Sequence, residues 1–192
     1  MIQYLIPFFS AFIISISITP FIIRFSHRYG YVAEPKEDRW HKKPTALLGG
    51  VGIFLSFIIP ALIFVPLNAL TVGVLFCATA IFCLGLYDDL REVKPYTKLV
   101  VQIIITIMII LVGVKVKIIP FAYVAIPLTL FWIVGITNAL NILDNMDGLS
   151  CGISFVASIC IFIYAMQNNL YLVASFSSIL CGTTLGFLIF NF

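Results

Sequence analysis

The sequence predicts an all-α, polytopic bundle of membrane-spanning helices, and three observations carry that expectation. Hydrophobic residue types make up 62% of the 192 residues and only 10% are charged, far more apolar surface than one soluble core can hide. The apolar residues come in continuous runs rather than in alternation, as helices in lipid require. The charges gather in short stretches between those runs, where the chain returns to water.

The first run, Ile2 to Ile23, has no basic leading region and no small-residue cleavage pattern, so it reads as a first span rather than a removable signal. Further spans are expected at Ala46 to Pro66, Leu70 to Tyr87, Leu99 to Val116, Ile118 to Leu140, Leu149 to Met166 and Leu170 to Phe192, about seven helices in all. No repeat, low-complexity tract or linker interrupts them, so residues 1–192 read as a single transmembrane domain without a separate soluble part. Cys77, Cys83, Cys151, Cys160 and Cys181 form no CxxC pair and sit in or at the ends of apolar runs, where a thiol packs as a small hydrophobe.

Between the first two helices, "RFSHRYGYVAEPKEDRWHKKP" holds Arg24, Arg28, Lys36, Arg39, Lys42 and Lys43, which makes this loop cytoplasmic by the positive-inside rule. Alternating the helices puts Asp88 to Lys98 and Asn138 to Ser150 on the same side and leaves "PLNAL" and "QNNL" outside. All eight acidic residues and nine of the eleven basic ones then share one face, with Lys115 and Lys117 on the other. Charges in loops are ordinary for membrane proteins, but loops on one side that lack any carboxylate point to a site on the other.

Three constellations occupy that face. In "LGLYDDLREVKPYTK", Asp88 and Asp89 end an apolar helix and point about 100° apart, so one carboxylate can approach a metal or phosphate while its neighbour handles a proton or holds a lysine. The same pair also suits a solvated helix terminus. In "NALNILDNMDGLS", Asn138, Asn141, Asp144 and Asp147 recur every three residues and neighbour one another on a helix if the turn continues, with Gly148 permitting a break. Their oxygens suit a hard cation such as Mg²⁺ and can accept from the N–H groups of a base; the competing reading is a capped helix end. In "EPKEDRWHKKPTALLGG", Lys36, Arg39, His41, Lys42 and Lys43 offer cationic donors for phosphate oxygens, although a basic juxtamembrane loop is also plain topology. Acids, amides and cations on one face suit the movement of a phosphoryl group, with metal and cations neutralising developing charge. Embedding such a site in helices suits an acceptor that is itself a lipid phosphate.

Taken in order, Glu34-Pro35 through Arg39, His41, Pro44, Gly49-Gly50, Asp88-Asp89, Lys98, Asn138, Asn141, Asp144, Asp147 and Gly148 resemble the polyprenyl-phosphate N-acetylhexosamine-1-phosphate transferases, along nearly the whole chain. The resemblance implies Mg²⁺-dependent transfer, with Mn²⁺ as a substitute ion, of a sugar 1-phosphate from a UDP-sugar to polyprenyl phosphate. UMP is released, and the reaction initiates a cell-envelope polysaccharide. By that resemblance Asp88, Asp89 and Asp144 are catalytic, with Asp88 and Asp89 near the acceptor phosphate and one of them a base, and with Asp144 either binding substrate or ordering its loop. Lys98 contacts phosphate oxygens, Asn141 and Asp88 hold the metal, Asp147 reads uracil, and Lys36, Arg39, His41 and Asn138 bind substrate. It also implies a multi-pass protein of the bacterial inner membrane with its active face cytoplasmic, no nucleic-acid partner, and a homodimer as a candidate assembly.

Glu34, Trp40 and Asn145 depart from the family's usual Asp, Lys and Gly. "RWHKKPTALLGG" is closer to the O-antigen and teichoic acid initiators than to the peptidoglycan translocase, which favours UDP-N-acetylglucosamine as donor. Family members usually have about ten or eleven spans and carry further Asp- and His-bearing loops beyond the point matching Phe192. The expectation is therefore the first two thirds of such an enzyme, with little activity of its own. The alternatives are a phospho-N-acetylmuramoyl-pentapeptide donor, a transporter, whose acids belong nearer the bilayer midplane, and a non-catalytic membrane fragment.

Overall fold

The computed structural model describes residues 2–33, 45–91, 93–144, 146 and 148–191. The elements run α1 (Ile2–Tyr29), β1 (Val32–Ala33), β2 (Thr45–Ala46), α2 (Gly49–Phe64), α3 (Ala69–Arg91), α4 (Pro95–Val112), α5 (Ala122–Leu143), α6 (Leu149–Gln167) and α7 (Tyr171–Leu188). All seven expected helices are present, and β1 and β2 add a two-residue antiparallel ladder pairing Val32 with Ala46. Among the described residues six helices are long and apolar enough to cross a membrane, while α2, with 16 residues, is shorter. The chain is thus an all-α, multi-pass membrane protein.

The helix ends follow backbone chemistry rather than hydropathy. The helix α1 continues past Ile23 through Arg24 and Arg28 and stops at Gly30, whose φ of +76° is left-handed. The Tyr31 N–H then returns to the Ser26 carbonyl at 2.9 Å, the long bond of a Schellman close. The end of α4 is built alike: Gly113 has φ +111°, and Val114 N–H bonds to the Ile109 carbonyl at 3.2 Å. Consequently α4 ends four residues before the expected Val116; it also begins earlier than Leu99, because Pro95 suits the first helical position. Pro120 delays α5 to Ala122. At the start of α3, Asn68 Oδ1 accepts the Thr71 N–H at 2.9 Å, a side-chain N-cap.

Two compact units form, residues 1–66 with 143–192, and residues 67–142. In the first, α7 packs against α1, α2 and α6. Gly182 and Gly186 bring the backbones of α7 and α1 together: a Cβ on Gly182 would fall 2.2 Å from the Phe8 carbonyl oxygen, and one on Gly186 would fall 2.7 Å from Ser15 Cβ. In lipid, where apolar surface gives helices no preference for one another, such small-residue approaches and polar cross-bonds hold them. The cross-bonds are Ser15 Oγ to the Thr183 carbonyl at 2.9 Å, Ser178 Oγ to the Tyr4 carbonyl at 2.6 Å and Cys151 Sγ to the Thr184 carbonyl at 3.3 Å.

In the second unit α3 lies against α4 at Gly73, where a Cβ would meet Val112 Cγ1 at 2.5 Å. Side-chain amides and an ammonium link α4 to α5, and these build the site.

Candidate phosphate site

The corner between α3 and α4 is organised by Asp88. One carboxylate oxygen, Oδ1, accepts the Val93 N–H at 2.9 Å, just beyond the end of α3, and the other accepts from Lys98 Nζ at 2.6 Å. Lys98 stands in the first turns of α4, whose N-cap, Lys94, makes no side-chain capping bond. A cation there opposes the positive end of the helix dipole. The Asp88 carboxylate, placed at the same end, offsets that cost. Both side chains are mostly covered, 16% exposed for Lys98 and 20% for Asp88, so the pair is stronger than an open surface bridge.

Lys98 Nζ also donates to Asn141 Oδ1 at 3.0 Å. Its ammonium therefore sits where a carboxylate oxygen and an amide oxygen converge. One turn deeper runs a second link between α4 and α5. Asn138 Nδ2 donates to Gln102 Oε1 at 2.8 Å and to the Val134 carbonyl at 2.8 Å, and Gln102 Nε2 reaches Asn138 Oδ1 at 3.4 Å. Gln102 is buried, with 2% exposure, and four residues after Lys98 it lies on the same helix face. Asn138, read from sequence as a substrate ligand, thus has its amide engaged inside the unit. Gln102 escaped that reading, and its signal was a lone amide in "LVVQIIIT", four residues past a lysine.

Asp89 is exposed beside Asp88, consistent with two carboxylates that differ in task. The expected helical row of Asn and Asp is cut short, because α5 ends at Leu143. Asp144 falls in the turn that follows, exposed, and Gly148 takes φ +66° to start α6. Asp88, Lys98, Asn138 and Asn141 are brought together in one unit, whereas Asp144 belongs to the other. Asp147, Lys36, Arg39 and His41 lie outside the described residues.

Among the described residues no three His, Cys, Asp or Glu side chains cluster as a metal cage. The donors present suit a different kind of site. Two hard oxygens, Asp88 Oδ2 and Asn141 Oδ1, already converge on one cation, and Mg²⁺ commonly takes one or two protein oxygens and completes its shell with water and substrate phosphate. The donor set therefore fits a shared, phosphate-completed ion.

The description of glycosyl transferase family 4 matches residues 71–192. Over 206 residues the chain is 33% identical to the probable undecaprenyl-phosphate N-acetylglucosaminyl 1-phosphate transferase of Bacillus subtilis (strain 168), covering 100% of this chain and 56% of that protein. It is 30% identical to a phospho-N-acetylmuramoyl-pentapeptide-transferase of Lactobacillus gasseri, with 97% and 67% covered. To a decaprenyl-phosphate N-acetylglucosaminephosphotransferase of Mycolicibacterium smegmatis it is 32% identical, with 86% and 48% covered. The chain spans about half to two thirds of the length of these curated relatives. With the family matched over residues 71–192, a stretch that holds Asp88, Lys98, Asn138 and Asn141, the chain belongs to glycosyl transferase family 4.

Proposed function

We propose that the protein transfers a sugar 1-phosphate, N-acetylglucosamine 1-phosphate in particular, from a UDP-sugar to polyprenyl phosphate at the cytoplasmic face of a bacterial inner membrane. The observation that carries this reading is the ammonium of Lys98, held by Asp88 and Asn141 at one end of α4 and α5. An arriving phosphate offers that ammonium an anionic partner, and Asp88, kept in place by the Val93 N–H, sets where the charge stands.

In the reaction an oxygen of the lipid phosphate bonds to the sugar-bearing phosphorus of the UDP-sugar, the anhydride bond to UMP breaks, and UMP leaves with the electron pair. Any proton on the lipid phosphate passes to one carboxylate of the Asp88-Asp89 pair, as the family resemblance implies. Lys98 neutralises charge as it spreads over the phosphoryl oxygens. Mg²⁺, when bound by Asn141 and Asp88, supplies further charge neutralisation on the diphosphate. Asn138, bonded to Gln102, ties α5 to α4 one turn from Asn141 and keeps the substrate-binding role that the family resemblance gives it. Asp144, Asp147, Lys36, Arg39 and His41 keep the roles that the family resemblance gives them.

The test is UMP release by the full-length protein in lipid, supplied with UDP-N-acetylglucosamine, undecaprenyl phosphate and Mg²⁺. Turnover that requires all three supports the reading, and no turnover with any UDP-sugar overturns it. Turnover only with a UDP-N-acetylmuramoyl-pentapeptide would move the donor to that of the Lactobacillus relative.

A further inference from the structure

At the other end of the second unit, the link between α4 and α5 folds back along α5. From Lys98 to Val112, α4 rises about 21 Å, and from Asn141 back to Ala122, α5 rises about 28 Å. Since Lys98 and Asn141 are in contact, the two helices start level and α4 stops short. Segment 113–121 makes up the difference without regular structure. Its Val116 N–H donates to Thr129 Oγ1 at 3.0 Å, and Thr129 stands only about 18 Å along α5 from Asn141. Against a hydrocarbon layer of about 30 Å, segment 113–121 therefore lies toward the face opposite the phosphate site.

Here the chain places Lys115 and Lys117, both exposed, with Val114 and Val116 turned partly inward. Apolar groups around them are exposed too, Ile118 at 93% and Leu111 at 81%, together with Phe121 and Tyr123. Such exposed groups suit contact with an apolar environment such as lipid acyl chains. Two ammoniums beside such apolar groups favour an anionic partner at the interface. Within residues 67–142 the only acids are Asp88, Asp89 and Glu92, which follow the opposite end of α3 in sequence. Among the described residues neither lysine has a carboxylate within ion-pair distance.

We propose that segment 113–121 is a binding surface for anionic phospholipid in the leaflet opposite the phosphate site, with Lys115 and Lys117 pairing the lipid phosphate and Leu111, Ile118, Phe121 and Tyr123 against its chains. The occupant is a bilayer lipid, since the flanking apolar groups have no counterpart in a free anion.

The test uses the full-length protein in phosphatidylcholine vesicles containing phosphatidylglycerol, each lipid offered in turn with a photo-crosslinking headgroup. Crosslinks to segment 113–121 should favour phosphatidylglycerol. The double variant K115Q/K117Q should lose that preference by about fivefold for each charge removed, while K115R/K117R retains it and shows that charge is what matters. Crosslinks from Arg91 and Lys94, at the opposite end, should be the same in all three proteins. Equal labelling of segment 113–121 by both lipids, an unchanged preference in K115Q/K117Q, or displacement by millimolar inorganic phosphate would overturn the proposal.

Discussion

Asp88 holds Lys98 with one carboxylate oxygen, at 2.6 Å, and the backbone of Val93 with the other, at 2.9 Å. The residue that shapes the α3–α4 corner is thus the one that fixes the cation. Removing either side chain frees the other from its geometry, so the two should act as one unit. In the full-length protein K98Q and D88N should each lower kcat by about 10²- to 10³-fold, the range for losing one preorganised donor to a phosphoryl or acyl oxygen. The double variant should be no slower than the worse single one. UMP-release kinetics of the three variants check this, and losses that multiply would show that the two residues work separately.

The amide pair of Gln102 and Asn138 should separate stability from activity. Q102L takes from the partly buried Asn138 amide its partner across the helix pair and leaves it the Val134 carbonyl alone, which costs about 1–3 kcal/mol, so the Tm in detergent should fall. Replacing both members, Q102L/N138L, removes the under-satisfied amide and should recover most of the Tm. Activity should not recover, because the link that sets Asn141 against Lys98 remains absent. Recovery of both would make the pair a packing device only.

How far the sequence revealed this arrangement differs between its parts. The spans were legible because hydropathy reports where a chain meets lipid, and Asp88, Lys98 and Asn141 were legible because charges and amides at the ends of apolar runs are few. Helix ends were less so. Hydropathy breaks at Ile23, yet backbone hydrogen bonding carries α1 on to Tyr29, where Gly30 allows the left-handed turn. In the same way Gly113 stops α4 inside an apolar run. The spacing of Asn138, Asn141 and Asp144 suggested one continuous face, but spacing alone does not say whether the helix persists, and it ends at Leu143. Gln102 was hidden because a single amide among isoleucines gives no partner away. Its partner lies 36 residues on, across a helix pair.

Metal removal should abolish turnover. Because the protein oxygens that converge at Lys98 are only two among the described residues, an ion held there would draw on substrate phosphate for the rest of its shell. Binding of Mg²⁺ to the substrate-free protein should therefore be weak, and its apparent affinity should tighten when the UDP-sugar is present. Chelation with EDTA followed by titration of Mg²⁺ or Mn²⁺, with and without substrate, measures this. Equally tight metal binding in both states would mean a cage supplied by protein alone.

The crossing of α1 and α7 gives a prediction about stability that does not depend on chemistry at the site. At Gly182 a Cβ would stand 2.2 Å from the Phe8 carbonyl oxygen and 3.2 Å from the Phe12 nitrogen, both backbone atoms that no rotamer change can move. G182V must therefore push the helices apart, and in doing so it strains the bonds from Ser15 to the Thr183 carbonyl and from Ser178 to the Tyr4 carbonyl. Overpacking of this kind costs about 1–3 kcal/mol or more, and the stretched polar bonds add to it, since lipid offers no replacement partner. Gly152 in α6 supplies the control, because a Cβ there meets nothing within 4 Å. G152A should leave the Tm unchanged or raise it slightly, as alanine is the better helix former. Thermal unfolding followed by light scattering in detergent should place G182V well below the wild type and G152A at or above it; similar behaviour of the two variants would mean that this helix crossing is looser than the glycine spacing implies.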